Sequence, residues 1–210
     1  MNKIKINNII NQYYSKKIIE YGPTPSGVDW NGTSSQMIRL EQISKVILED
    51  TFSISDIGCG YGKYYEYLNK RKKCFKYFGY DLSTEMIKSA NSLYGYYTNV
   101  LFNNINDISE IRKTDYIVSS GIFNVKLDIP DMEWLEYILD ILNKINSKSI
   151  KGFAFNMLTK YSDKEYLRDN LYYGDPMFIF DYCKQKFSKN VALLHDYGLY
   201  EFTIIVRKEI

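Results

Sequence analysis

Apolar residues recur along this chain in two periods, and the periods alternate. Ile6, Ile9, Ile10, Tyr13, Tyr14 and Ile18 fall at helical spacing, so residues 4–20 read as an amphipathic helix. Gly22 and Pro23 end it, and a loop dense in Gly and Pro runs from Tyr21 to Thr33. A second helix follows, capped by Ser34 or Ser35, with Met37, Leu40, Ile43 and Ile47 on one face. Short apolar runs then predict strands at 52–57, 75–80, 99–103, 115–119 and 150–158. Helical periods predict helices at 62–70, 83–93, 131–146 and 163–187. The last two runs, Val191–Leu194 and Phe202–Val206, flank a turn at Gly198. Strands that close in sequence cannot run parallel, so they predict a hairpin.

This βα alternation predicts an α/β fold, a mostly parallel sheet with helices on both faces. The chain, 1–210, reads as a single domain. Residues 1–50 supply N-terminal helices and a lid loop, and 51–210 the core. A chain of 210 residues buries roughly 70% of its unfolded surface. It carries no internal repeat or low-complexity tract.

The strand at 52–57 runs into a glycine turn, Asp56-Ile57-Gly58-Cys59-Gly60-Tyr61-Gly62, and the next strand ends on Asp81. Glycines let a ligand press against the backbone, and the following helix offers unpaired N–H groups. A carboxylate at the neighbouring strand tip accepts hydrogen bonds from a ribose diol. These parts describe a pocket for an adenosine-containing cofactor. The glycine spacing departs from the dinucleotide fingerprint, and nothing in the turn is basic before Lys63, which makes a poor diphosphate cradle.

The turn resembles the first motif of the class I S-adenosylmethionine (SAM)-dependent methyltransferases, and Tyr77-Phe78-Gly79-Tyr80-Asp81 resembles their second. The resemblance spans roughly Ser34 to Lys208. It implies a seven-stranded Rossmann-like methyltransferase sheet, five parallel strands plus the terminal hairpin, and SAM as cofactor. Gly58, Gly60 and Gly62 would line the methionine tail and sugar, and Asp81 would hold the ribose hydroxyls. Asp107 would receive the adenine amino group and Ile108 cover the ring; Asp107 equally reads as a helix N-cap before Ser109-Glu110. Asp56, Cys59, Tyr61, Leu82, Met86 and Ser120 complete the expected cofactor pocket, although core packing explains Met86 as well. Arg39 pairs with the methionine carboxylate or an anionic substrate, or is a solvated helix charge. The fourth motif reads Ser119-Ser120-Gly121-Ile122, where methyltransferases of base amino groups often carry Asn/Asp-Pro-Pro-aromatic.

Composition narrows the partners. Net charge is +2, from 27 basic and 25 acidic residues, so no nucleic-acid partner is expected. No apolar run approaches a membrane span. The opening Met1-Asn2-Lys3-Ile4-Lys5 leads into alternating polar and apolar residues, unlike a signal peptide. Cys59, Cys74 and Cys183 are scattered, which reads as reduced thiols in a cytoplasmic protein. The 21 tyrosines line a pocket or reflect an AT-rich genome, and the second reading covers most of them. Only Asp128 and Asp131 follow the fourth strand closely, so no metal is expected.

For chemistry, His195 is the natural base candidate, being the one group whose ordinary pKa lies near neutrality; a loop-bonded structural histidine is the plainer reading. Asn124 sits where the fourth motif faces the transferred methyl. Tyr14, Trp30, Asn124, Asn156 and Tyr173 are the expected acceptor contacts. The sequence therefore reads as a methyltransferase acting on a small polar acceptor, at oxygen in preference to nitrogen. By analogy that acceptor is a sugar- or phosphate-linked precursor of a surface polysaccharide. The rivals are a transfer-RNA methyltransferase, a non-enzymatic SAM-binding protein and, last, a Rossmann oxidoreductase.

Overall fold

The computed structural model describes residues 3–72 and 74–208; Met1 and Asn2, part of the N-terminal reading above, lie outside them. Helix α1 (Lys3–Tyr21) and α2 (Thr33–Ser44) flank a loop holding a short 3-10 turn, Pro25–Val28. Then come β1 (Thr51–Ile57), α3 (Lys63–Asn69), β2 (Cys74–Asp81), α4 (Thr84–Tyr94) and β3 (Val100–Asn104). They are followed by β4 (Thr114–Ser119), α5 (Asp131–Lys148), β5 (Ser149–Leu158), α6 (Pro176–Lys186), β6 (Asn190–Leu194) and β7 (Glu201–Arg207).

The strands form one seven-stranded sheet in the order β3-β2-β1-β4-β5-β7-β6. Strands β1 to β5 are parallel; β7 runs antiparallel to both β5 and β6. This is the predicted Rossmann-like arrangement with its terminal hairpin. After β1 the chain builds outward through β2 and β3, then crosses back to place β4 on the other side of β1. Ligands in open α/β sheets bind at such a reversal, beyond the carboxyl ends of the strands. Register brings those ends level there, with Ile57 opposite both Tyr80 and Ser119.

Alternate residues of the central strands feed two cores, as the period of two requires. Ile117, Phe153 and Phe155 face α5 and α6, packing with Trp134, Ile138, Ile141 and Ile179. Val118 and Ala154 face the other side, with Leu40, Ile43, Tyr64, Tyr65, Leu68 and Ile87. Tyr64, Tyr65, Tyr67, Tyr77 and Tyr116 are buried in that second core, so these tyrosines are packing residues.

Two helix boundaries differ from the sequence expectation. The helix over 163–187 does not begin until Pro176, after a 3-10 turn at Lys164–Tyr166. Proline is tolerated in a first helical turn and disfavours helix in the residue before it. Asp175 caps α6 by accepting from the N–H groups of Met177 and Phe178. Helix α2 is capped by Gly32, not by Ser34 or Ser35, and ends at Ser44. Ile47 thus lies beyond α2 while still packing into the same core.

Candidate active site

The turn after β1 is clamped to β2. The Tyr80 carbonyl accepts the N–H groups of Gly58 at 2.8 Å and Cys59 at 3.1 Å. Gly58 is left-handed (φ +71°), and a Cβ there would stand 2.2 Å from Ile122 Cγ2. Asp81, half-buried at the tip of β2, accepts the Gly60 N–H and the Ser83 N–H, each at 2.9 Å. Burial raises its pKa, and those N–H groups partly oppose the rise. Asp56 is buried beside the same turn. Burial pushes its pKa up to about 7, against the Tyr77 hydroxyl that donates to it, and the Asp81 charge adds to the rise.

Around this turn lies a narrow cleft of about 130 Å³. Its walls include Asp56, Gly58, Cys59, Gly60, Tyr61, Asp81, Leu82, Met86, Asp107, Ile108 and Ser120, joined by Tyr14 and Trp30. Gly62 is not among them. A Cβ at Gly62 would come within 2.9 Å of Tyr94 Cδ2 and 3.0 Å of Phe102 Cζ, so close helix packing demands this glycine. Asp107 is the N-cap that one sequence reading expected, and it also borders the cleft. It caps the 3-10 turn Ile108–Glu110 by accepting the Ser109 N–H at 2.8 Å. Burial favours its neutral form, but Lys144 at 2.7 Å and Ser109 outweigh this and hold its pKa near about 2.

Helix α1 roofs the cleft, with Tyr14 and two residues that the sequence reading did not single out, Asn7 and Asn11. The two asparagines face into it one turn apart. Asn7 donates to the Asn106 carbonyl and accepts from the Tyr137 hydroxyl, both at 2.8 Å. A polar i, i+4 pair within an isoleucine stripe was the available signal. Gln36, which accepts from the Tyr61 hydroxyl at 3.2 Å, also lines the cleft. A glycine cradle that a Cβ would fill, an acid at the next strand tip and one unpaired buried hydroxyl, Ser120 Oγ, fit an adenosine cofactor with a polar tail.

The sequence pattern of a methyltransferase domain matches residues 54–144. The methyltransferase candidate Rv1506c of Mycobacterium tuberculosis H37Rv is 50% identical over 159 residues, which cover 76% of this chain and 95% of that protein. The chain is a class I SAM-dependent methyltransferase. Solved structures share its fold at low identity. Magnesium protoporphyrin IX methyltransferase of Synechocystis PCC 6803, with bound S-adenosylhomocysteine (SAH), superposes with a TM-score of 0.70 at 13% identity, covering 97% of this chain and 99% of that one. The N-methyltransferase NodS of Bradyrhizobium japonicum WM9, also with SAH, gives 0.63 at 14% identity, covering 94% and 97%.

The methyltransferase has a second, wider hollow of about 1010 Å³ beside the cleft. It is walled by α1 and the loop after it, the turn after β4, the loop from Leu158 to Tyr173, and the segment before β7. Asn124 and Tyr173 line it. Asn124 Oδ1 accepts the Leu158 N–H at 3.0 Å, and the Tyr173 hydroxyl accepts the Arg168 N–H at 3.0 Å. Tyr14, Val28, Trp30 and Gly121 line both hollows and form the boundary between them, where any passage from one to the other must run.

Three expected site residues stand elsewhere. Arg39 lines the wider hollow and not the narrow cleft, because Glu201 at the start of β7 holds it there at 2.6 Å and Trp30 stacks on its guanidinium at 4.1 Å. Asn156 lines neither hollow. It is fully buried, accepting the Gly121 N–H at 2.8 Å and donating to Glu201 Oε2 at 2.9 Å. His195 also lines neither hollow. It is exposed at the end of β6, against Tyr161 and Phe202. The sequence placed β6 correctly as a strand, but β7 intervenes between it and β5 and carries its end to the margin of the sheet. Among the described residues no cluster of His, Cys, Asp or Glu is arranged to hold a metal ion. No described helix is long and apolar enough to cross a membrane.

Proposed function

We propose that this methyltransferase methylates an oxygen of a small polar acceptor held in the wider hollow. In the narrow cleft, Asp81 takes the ribose hydroxyls, Gly58 and Gly60 let the tail approach the backbone near Asp56, and Asp107 and Ile108 border the adenine end. The cofactor supplies an electrophilic methyl group on a sulfonium. The residues of the passage position the acceptor atom for in-line approach, and positioning of this kind supplies roughly 7–11 kcal/mol of the barrier when geometry is right.

The composition of the passage carries this reading. Of Tyr14, Val28, Trp30 and Gly121, only Tyr14 has a titratable group. Burial, and then the Asp29 charge, push its hydroxyl pKa well above the ordinary value, so it holds its proton at neutral pH. The carboxylates of the wider hollow are already engaged: Asp29 by Lys17 and Tyr13, Glu201 by Arg39 and Asn156. An acceptor oxygen that arrives ionised needs no base, which favours a carboxylate or phosphoryl oxygen over an alcohol or an ammonium. A phosphate-linked sugar precursor of a surface polysaccharide is one acceptor of that kind.

The test supplies SAM carrying an isotope-labelled methyl carbon with panels of organic acids, phosphate monoesters, alcohols and amines. Carbon NMR of the products distinguishes methyl on oxygen from methyl on nitrogen. Labelled methyl esters are expected. An N-methyl product, or turnover confined to neutral alcohols, overturns the reading.

A further inference from the structure

Arg39 is 8% exposed, yet it is only partly paired. One terminal nitrogen meets Glu201 at 2.6 Å, while Nε and Nη1 are sealed from solvent without a hydrogen-bond partner. Guanidinium donors form a planar fork suited to two parallel bonds with a carboxylate or phosphoryl group. Glu201 cannot supply the second bond readily, because its other oxygen accepts from Asn156. The face of Trp30 stacks on the guanidinium, its ring centroid 4.1 Å from the guanidinium carbon. A ring face balances charge but offers no directed acceptor. Buried donors left open in this way are uncommon and call for an explanation.

The charge of the hollow points the same way. Its walls hold three cations, Lys17, Arg39 and Arg168, against two carboxylates, Asp29 and Glu201. Lys17 is matched by Asp29 and Arg39 by Glu201. Among the described residues Arg168 has no ion-pair partner and stands exposed in the loop before Tyr173. The hollow therefore has one uncompensated positive charge and one buried guanidinium with two unused donors.

Building on the acceptor site proposed above, we propose that the acceptor is a small organic anion. Its carboxylate or phosphoryl group accepts from the unused Nε or Nη1 donor of Arg39, Arg168 adds a second charge from the wall, and Trp30, stacked on the guanidinium, shifts as the anion enters. The Arg39–Glu201–Asn156–Gly121 chain of contacts fixes this anchor relative to Gly121, which forms part of the passage to the cofactor cleft. Recognition and reaction are then set in register by three hydrogen-bonded links.

Tryptophan fluorescence of the SAH-saturated protein tests this. Of the two tryptophans, Trp134 is fully buried and its indole N–H donates to the Phe123 carbonyl, so a change on titration reports Trp30; a Trp30→Phe control confirms the source. The probes are phenyl phosphate, benzoate and neutral benzyl alcohol. At least one anion is expected to bind tenfold or more tighter than the alcohol and to change the emission. The tighter of the two names the group anchored on Arg39, phosphoryl or carboxylate. Arg168→Gln, on an exposed loop, should weaken the anion about three- to tenfold. Arg39→Lys keeps a charge against Glu201 but loses the fork, and should weaken it tenfold or more.

Equal binding of benzyl alcohol and the anions, or unchanged anion affinity in both variants, overturns the proposal. Calorimetry with SAH separates this from failure of the wider reading. If SAH binds and the anions do not, only the anion site falls. If SAH fails to bind the wild-type protein, the reading of both hollows falls with it.

Discussion

The narrow cleft and the wider hollow, proposed above to hold cofactor and acceptor, share four residues, yet they are built from different material. The floor of the cleft is made where secondary structure dictates position, at the β1 turn, the tip of β2 and Met86 in the first turn of α4, while α1 and α5 close over it. Its key contacts are backbone groups, such as the Tyr80 carbonyl on Gly58 and Cys59, and the Gly60 and Ser83 N–H groups on Asp81. The hollow is made from side chains on four stretches far apart in sequence, from Tyr13 to Arg39, around Gly121 to Val125, from Leu158 to Tyr173, and from Gly198 to Glu201. Backbone contacts survive most substitutions, whereas loop side chains can be exchanged while the scaffold stays fixed. One fold can thus keep one cofactor and change its acceptor.

The largest effect should arise on the cleft side, at Asp56. Its folded-state pKa of about 7, raised by burial, stands above the ordinary carboxylate value near about 4. Between those values the folded protein binds more protons than the unfolded chain, so stability is full below the unfolded pKa and falls as pH rises toward 7. Each pH unit in that window costs about 1.4 kcal/mol, on the order of 4 kcal/mol across it. Asp56→Asn still accepts from the Tyr77 hydroxyl but cannot ionise, so its stability should lose this slope between about pH 4 and 7. Saturating SAH should flatten the wild-type slope as well, because an ammonium at the cleft favours the carboxylate. Parallel pH profiles for the two proteins would remove Asp56 from the comparison.

Asp81→Ala should have a smaller effect. It strips the acceptor from two backbone N–H groups and from any bound ribose, and hydrogen bonds to a charged group are each worth about 1.5–3 kcal/mol. SAH affinity by calorimetry should fall by that amount, while binding of anionic probes in the wider hollow stays within twofold. A loss confined to the anion side would show that the two hollows are not independently built.

The same division explains what could be read from the chain. Gly58, Gly60 and Asp81 are local punctuation: a left-handed turn and an acid closing an apolar run leave a mark within a few residues. The strands were legible for the same reason, since Ile117, Val118, Phe153 and Ala154 alternate between two cores. Arg39 illustrates the limit. Nothing near it in sequence shows that Glu201 would hold it on the acceptor side, since that depends on β7 lying next to β5. Asn156 likewise looked like a strand-end ligand, and turned inward to tie Gly121 to Glu201. Helix α1 was predicted as a helix, but its asparagines became cleft walls only through docking against Asn106 and Tyr137.

His195 gives the smallest expected effect and the sharpest test of where the acceptor side ends. Chemistry alone makes it the natural base, and its strand points the same way as the five parallel ones. Yet β7 separates β6 from β5, and the imidazole stands exposed with ring centroids 6.0 Å from Tyr161 and 6.2 Å from Phe202. A group outside both hollows cannot reach an acceptor proton, and a reaction on an ionised oxygen has no proton to remove. His195→Ala should therefore leave turnover within twofold and stability within about 0.5 kcal/mol, the usual range for an exposed side chain. A hundredfold loss of kcat at unchanged SAH affinity would mean that the end of β6 folds inward over the hollow during turnover. The acceptor side would then extend past β7, and the passage at Tyr14, Val28, Trp30 and Gly121 would not be the whole of the reacting site.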